Sequence, residues 1–173
     1  MQAEIQAQFE AIEQQRRAIE TRACAFSDAQ LNEKTEGAWS VVQITEHLVL
    51  NDEAVGQAQE TPTAEDAMFR VLPRAARRAL VLAAFKRDKT LPLPSPGLES
   101  SGTVPLPALL ERWEQSRLSM HTALEAARGN KPGWSHPVLG PLTALQVLTL
   151  PEVHTAYHTR QMERLLNNIP AGD

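Results

Sequence analysis

The chain of 173 residues contains a single cysteine, Cys24. An intrachain disulfide is therefore excluded, which fits a protein of a reducing compartment. No apolar run reaches the roughly 18 residues of a membrane span, and the polar, acidic stretch MQAEIQAQFEAIEQQ is unlike a signal peptide. We therefore expect a cytoplasmic protein, in which Cys24 is a small buried hydrophobic residue rather than a nucleophile.

Positive charge and aromatic residues are also scarce. The formal net charge is −4 and aromatic residues make up 5% of the chain, so no general affinity for nucleic acid is expected. The one basic cluster, between Arg70 and Lys89, lacks the interleaved aromatic rings on which single-stranded nucleic acid stacks. We interpret this cluster as a solvated helix face, with a site for an anion or a substrate carboxylate as the alternative.

Hydrophobic residues, by contrast, are abundant at 42% and recur at helical spacing, which predicts an all-α fold. The chain length favours a single domain, residues 1–173. The predicted helices cover about residues 2–25, 41–59, 64–89 with a bend at Pro73, 108–127 and 143–166. Ser40 with Gln43, and Thr143, are the expected N-caps of the second and last helices.

Prolines are concentrated in two connections. Residues 90–107 hold five of them, which predicts an extended crossover or lid rather than a helix. A glycine- and proline-rich loop, GNKPGWSHPVLGPLT, precedes the last helix. One further proline, Pro151, lies inside the last predicted helix, where it removes an amide donor and is expected to produce a kink or a fresh helical start.

Histidines carry the main chemical signal. His154 and His158 stand four residues apart in a predicted helix, so both imidazoles lie on one face, one turn apart. Two such rings can grip one metal ion, and a third histidine from a neighbouring helix would complete a facial set. Three protein ligands leave coordination positions open, as in catalytic sites. Core histidines with hydrogen-bonded rings, or a solvated helix face, are the alternative interpretations.

Two segments carry a more specific pattern. The first, WSVVQITEHL, opens a helix with Trp39-Ser40 and contains His47. The second, HPVLGPLTALQVLTLPEVHTAYHTRQMER, contains in order His136-Pro137, Leu139-Gly140, Leu142-Thr143, His154, His158 and Gln161. Both resemble the signatures of the DinB-like superfamily, bacterial proteins that include the YfiT-like metal-dependent hydrolases and thiol S-transferases. In the family pattern an aromatic residue precedes the glycine of the turn before the last helix, and in this chain that position is Leu139.

The resemblance implies a four-helix bundle of up-down-down-up topology, with the Pro-rich stretch as its long crossover. It also implies a divalent metal, Zn or Ni, bound by His47, His154 and His158. Gln161 is expected to orient a ring or a bound water, with an exposed polar residue as the alternative. His136 is expected to be a loop histidine that lies in the pocket wall or acts as a hydrogen-bond anchor.

Five other residues near these motifs are not assigned to the metal site. Trp39 and Trp134 are expected to be packing anchors, and His121 is expected to be exposed because it lies off the apolar stripe of its helix. Glu46 points about 100° away from His47 on a helix, so a role as general base is disfavoured. Asp52 also lies near His47 in sequence.

The resemblance favours an enzyme that transfers a low-molecular-weight thiol, as co-substrate, onto an electrophile, with hydrolysis as the neighbouring possibility. No dedicated general acid or base is evident beyond the metal site, and thiolate chemistry tolerates that absence better than amide hydrolysis does. The alternative is a non-enzymatic metal-binding stress-response bundle. We expect a small-molecule substrate, a homodimer, and neither nucleic-acid nor membrane partners.

Overall fold

A computed structural model describes residues 1–34, 39–60, 72–87, 98–127, 131–136 and 139–168. Most of these residues are helical, so the predicted helical fold is confirmed. The helices are α1 (Ala3–Ala23), α2 (Asp28–Asn32), α3 (Val41–Glu60), α4 (Arg74–Lys86), α5 (Leu106–Ala126) and α6 (Ala144–Asn167). Two short strands, β1 (Trp134–His136) and β2 (Gly140–Leu142), form an antiparallel hairpin.

Local hydrogen bonds explain where several helices begin. The Ser40 hydroxyl accepts from the Gln43 amide at 3.2 Å, and the Gln43 side chain accepts from the Ser40 amide. Thr143 and Gln146 form the same reciprocal box at the start of α6. Both predicted caps are therefore confirmed. A further box, with Ser27 at its N-cap, starts the short helix α2 in a region where no helix was predicted.

Prolines mark boundaries that differ from the predicted ones. Pro73 is the N-cap of α4 and not a bend within a longer helix, since its fixed φ suits a helix start. The remainder of the predicted helix, 64–71 and 88–89, lies outside the described residues. Helix α5 begins at Leu106, two residues earlier than expected, because Pro107 occupies its first turn. Of the Pro-rich stretch, residues 98–105 are described and contain no helix or strand, as predicted; residues 90–97 are not described.

Helix α6 runs through Pro151 as one continuous helix, so no fresh helical start occurs there. Pro151 is buried, and buried apolar residues lie on both sides of it in the helix, with Leu148 before it and Met162 after it. His154 and His158 therefore belong to the same uninterrupted helix as the cap at Thr143. This continuity preserves the one-turn spacing between the two imidazoles.

The apolar core brings α3 and α6 side by side. Helix α3 packs on α5 and α6, α1 packs mainly on α6, and α4 covers another face of α6. One buried cluster includes Ile12, Trp134 and Leu148, and a second includes Ile44 and Leu109. Among the described helices, none has the length and apolarity needed to cross a bilayer. The packing therefore places His47, on α3, opposite the histidine pair on α6.

Candidate metal centre

Three histidine side chains converge between α3 and α6. His47 comes from the second turn of α3, and His154 and His158 come from adjacent turns of α6. One ring nitrogen from each lies within 4.8 Å of the others, and among the described residues this metal-competent cluster consists of histidines alone. The structure thus brings together the three residues that the sequence singled out.

The distances between these nitrogens fit a shared metal ion. His154 Nε2 lies 3.2 Å from His47 Nε2 and 3.1 Å from His158 Nε2. With metal–nitrogen bonds of about 2.0–2.1 Å, such separations subtend about 100° at the metal. That angle lies between the octahedral and the tetrahedral values. The three Nε2 atoms could therefore hold one divalent metal ion.

Hydrogen bonding between the rings is a poor alternative explanation of these contacts. The Nε2 atom of a neutral imidazole carries one in-plane hydrogen or one in-plane lone pair. His154 Nε2 faces two other nitrogens at once, and it can make a well-directed hydrogen bond with only one of them. A cation bound by all three lone pairs would satisfy both contacts.

Two of the histidines are held in the form that binds metal through Nε2. His47 Nδ1 lies 3.1 Å from the Leu98 carbonyl oxygen, and His158 Nδ1 lies 3.0 Å from Gln161 Oε1. Because both oxygens only accept, each Nδ1 must donate, which leaves Nε2 with its lone pair. Outer partners of this kind are typical of metal-binding histidines. Gln161 thus contacts a ring of the cluster, at the place where an orienting residue would act.

Asn51, one turn after His47, supports the same ring from another side. Its Nδ2 donates to the His47 carbonyl at 2.8 Å. The same nitrogen lies 3.4 Å from His47 Nδ1 and 3.2 Å from Nε2. Nearly equal distances to both ring nitrogens place the amide over the ring face, away from the in-plane lone pair of Nε2. Asn51 therefore restrains the ring without occupying its metal-binding direction.

Aromatic side chains surround the histidines. The Trp39 ring lies 4.9 Å from His47 and is nearly parallel to His158 at 6.3 Å. Phe85 meets His154 edge-on at 5.0 Å, and Tyr157 meets His158 at 4.8 Å. Trp39 is 37% exposed, so it packs against these rings as a partly open wall of the site. Trp134 is buried as predicted.

Burial keeps the cluster neutral. It lowers the pKa of His154 well below the usual value, and the neighbouring His158 and His47 lower it further. Burial, with the nearby His47, lowers the pKa of His158 to about 4, and burial also lowers the pKa of His47. At neutral pH the imidazoles are therefore uncharged, which is the form that binds metals.

The carboxylates of Glu46 and Asp52, which are near His47 in sequence, do not face the group of three histidines. Glu46 accepts hydrogen bonds from the Ser100 and Ser101 hydroxyls and from the Gly102 amide. Asp52 is buried and paired with Arg117. A general-base role is therefore not supported for either residue, in agreement with the helical geometry of Glu46.

Other interpretations from the sequence need correction. Cys24 is exposed and is not a buried hydrophobic residue. The basic cluster is not wholly a solvated face, because Arg77 is buried and Arg78 donates to the Leu139 and Pro141 carbonyls. Arg70 and Lys89 lie outside the described residues. The His121 side chain, with 34% exposed, packs edge-on against Phe9 and is only partly exposed.

His136 lies on β1, within a hairpin that the sequence suggested would be a loop. Its Nδ1 accepts from the Leu139 amide at 3.2 Å, as expected of a hydrogen-bond anchor, and it is not part of the metal-competent group of the described residues. Pro137 is not described. Since Nδ1 accepts, the ring is neutral, and burial lowers its pKa to about 4.

We expect the metal-free protein to lose stability as the pH falls from about 6.5 to about 4. The unfolded chain protonates His136 near its ordinary pKa of 6.5, whereas the folded chain does so near 4, so unfolding takes up protons in that window. His158 shifts in the same direction. His136→Asn keeps an acceptor near Leu139 but does not titrate. Melting temperatures measured across the window should depend on pH less steeply in this variant; an unchanged slope would contradict the assignment.

Several contributors to the site escaped the sequence analysis. Asn51 was not singled out, although its spacing of one helical turn from His47 was a usable signal. Phe85 and Tyr157 gave no distinctive pattern. The Leu98 carbonyl, 51 residues from His47, had no local signal at all, because any backbone carbonyl can accept a hydrogen bond.

Comparison with known proteins agrees with this geometry at the level of the family. Searches of curated proteins and of solved structures give no significant match. A family model described as the DinB superfamily matches residues 11–162. The match includes α3 and most of α6, and so all three histidines of the cluster. Because the family model covers most of its length, the chain belongs to the DinB superfamily.

Proposed function

We propose that the protein is a metal-dependent enzyme that transfers a low-molecular-weight thiol onto a small electrophilic substrate. Its divalent ion, Zn²⁺ or Ni²⁺, would be held by Nε2 of His47, His154 and His158. The observation that carries the proposal is the convergence of these three nitrogens, with His154 Nε2 only 3.1–3.2 Å from the other two. Hydrolysis of a small substrate at the same site is the second reaction class.

The charge of the donor set favours activation of a bound nucleophile. Among the described residues the cluster contains three neutral imidazoles and no carboxylate, so the ligands would not reduce the positive charge of the ion. Such an ion, when bound, lowers the pKa of a coordinated thiol or water. The protein's part is to fix the rings: Leu98 and Gln161 orient two of them, and Asn51 restrains the first.

Thiol transfer fits the remaining residues better than hydrolysis does. In the transfer, the sulfur forms a bond to an electrophilic carbon while the bond from that carbon to its leaving group, chloride in monochlorobimane, breaks. The leaving group departs with the bonding electron pair, and the thiol proton is released to solvent. Amide hydrolysis also needs a proton delivered to the leaving nitrogen. The nearby carboxylates of Glu46 and Asp52 are both engaged elsewhere. The partly exposed ring of Trp39 offers an apolar surface for the electrophile beside the histidines.

We also infer that α1, α3, α5 and α6 form the up-down-down-up bundle of the family, with α4 as an addition. The support is the packing of α3 on α5 and α6 and of α1 on α6 and α5. A small-molecule substrate, an absence of nucleic-acid partners and a homodimer remain part of the proposal. Light scattering coupled to gel filtration tests the dimer directly.

Conjugation of monochlorobimane tests the proposed activity. The protein, loaded separately with Zn²⁺ and Ni²⁺, is mixed with the probe and with one thiol at a time from a panel of low-molecular-weight thiols. We expect the fluorescent conjugate to form faster than the uncatalysed rate with one thiol only. His154→Ala, which removes the ligand atom shared by both short contacts, should return the rate to background, whereas His121→Ala should not.

The alternative is a metal-binding protein without enzymatic activity. It is favoured by the absence of a positioned general acid or base among the described residues near the cluster. Full metal loading, measured by elemental analysis, together with no turnover for any thiol or ester in the panel, would support it. Turnover that depends on the metal and on all three histidines would exclude it.

A further inference from the structure

The end of the Pro-rich stretch is tied to α3 at two successive residues. The Leu98 carbonyl accepts from Nδ1 of His47. The next contact is made by Glu46, the residue before His47. Its carboxylate accepts from the Ser100 hydroxyl at 2.7 Å, the Ser101 hydroxyl at 2.9 Å and the Gly102 amide at 2.7 Å. We call residues 98–102 the strap.

The carboxylate of Glu46 is the centre of the strap's attachment. It is 5% exposed, so its charge is withdrawn from water and is balanced by three short hydrogen bonds. Charge-assisted bonds of this kind are stronger than bonds between neutral groups. They fix two hydroxyls and one backbone amide within three consecutive residues, which leaves little freedom to the strap.

Gly102 fixes the position of the strap against α3. Its φ of +68° lies in the left-handed region that favours glycine. A Cβ atom at this position would lie 2.8 Å from the Gln43 side chain, so the strap backbone lies directly against the first turn of α3. With one end set there and the centre held by Glu46, the Leu98 carbonyl is brought to the His47 ring.

We propose that Glu46 is a positioning residue for the metal centre. By holding the strap, it keeps the Leu98 carbonyl on Nδ1 of His47, so that the proton stays on Nδ1 and the lone pair of Nε2 faces His154. Glu46 acts through the backbone of the strap and touches neither the ion nor a substrate. This inference rests on the proposed metal site and adds the element that orients its first ligand.

Glu46→Gln tests the proposal in the full chain. The amide keeps the size of the side chain but loses the charge and one acceptor, which weakens its hold on three donors. Two readouts are needed: the dissociation constant for Zn²⁺, measured by competition with a chromophoric chelator at fixed pH, and the ¹⁵N shifts of the His47 ring in the metal-free protein. We expect Zn²⁺ affinity to fall about 10–100-fold, as for other outer partners of metal-binding histidines.

The ring shifts report a change that general destabilisation does not produce. In the parent protein they should show the proton on Nδ1 of His47, and in Glu46→Gln a mixture of both tautomers. Glu53→Gln is the matched control, since it removes a carboxylate from the same helix that pairs with Arg112 and not with the strap. It should change neither readout. Should Glu46→Gln fold poorly by circular dichroism, Ser100→Ala with Ser101→Ala removes two of the three donors instead.

The outcomes separate this inference from the proposed function. Unchanged tautomer populations in both strap variants, or weaker Zn²⁺ binding without a change in tautomer, would overturn the positioning role. A parent protein that binds no Zn²⁺ at all would overturn the proposed metal site, while the tautomer measurement would still report whether Glu46 orients the His47 ring.

Discussion

Replacing any one of His47, His154 and His158 with alanine should abolish the rise in melting temperature that a divalent metal produces. Binding to the folded state stabilises it by about 2.7 kcal/mol when free metal is 100 times the dissociation constant, or roughly 5–10 °C for a protein of this size. Two remaining imidazoles bind much more weakly, and the affinity should fall by well over the 10–100-fold typical of outer partners. Differential scanning fluorimetry with and without Zn²⁺ or Ni²⁺ measures the difference.

The control for this prediction is His121→Ala. His121 lies on α5 against Phe9, so its removal is expected to lower the melting temperature somewhat without changing the metal-dependent rise. The metal-free protein should remain helical in all variants, because its two apolar clusters do not depend on the ion. One equivalent of tightly bound metal in the triple alanine variant would show that the ligand assignment is wrong.

Asp52→Ala should be among the most destabilising single substitutions, at about 3–5 kcal/mol. Asp52 Oδ2 lies 2.8 Å from Arg117 Nη2 and accepts from the Trp113 indole, and both charged side chains are buried. Without Asp52, the acidic partner left to the Arg117 guanidinium among the described residues would be Glu13, at 3.6 Å. An uncompensated buried charge is far more costly than a lost surface contact. Urea unfolding, followed by circular dichroism, measures the change.

The neighbouring residue provides the control. Glu53 forms a two-point ion pair with Arg112, but 30% and 39% of these side chains are exposed, so Glu53→Ala should cost about 1 kcal/mol or less. A similar loss in both variants would contradict the distinction.

A double variant tests why the buried pair matters. Burial raises the pKa of the Asp52 carboxyl in spite of Arg117, which indicates that desolvation is not fully offset. Asp52→Leu combined with Arg117→Met removes both charges, so it should be less destabilised than either single variant. A loss as large as the sum of the single losses would mean that the two side chains are not coupled, and would contradict this expectation.

Much of the helical framework followed from local patterns. Ser40 and Thr143 cap their helices through side chains three residues away, so the signals are complete within a few residues. His154 and His158 share a face because their spacing is one helical turn. The choice of His47 as third ligand came from the family resemblance and not from spacing, and metal binding itself stays a prediction.

Other features required contacts between distant segments. The hairpin of β1 and β2 has strands of three residues each, too short for an alternating pattern to emerge. The sequence pattern predicted that Arg77 would lie on a solvated helix face, but its side chain is buried. Asp52 looked like a neighbour of the site, but its partners Trp113 and Arg117 lie on α5, and only the packing of α3 on α5 turned it inward.

The sequence by itself therefore determined where α3 and α6 begin and that two imidazoles lie one turn apart on one helix face, because the hydrogen bonds and periodicities responsible are local. The tertiary structure decided which nitrogens meet and which protons they carry. His47 reaches His154 only because α3 packs on α6, and its tautomer depends on the carbonyl of Leu98. Such contacts arise from the packing of the whole core, so no short window of residues encodes them.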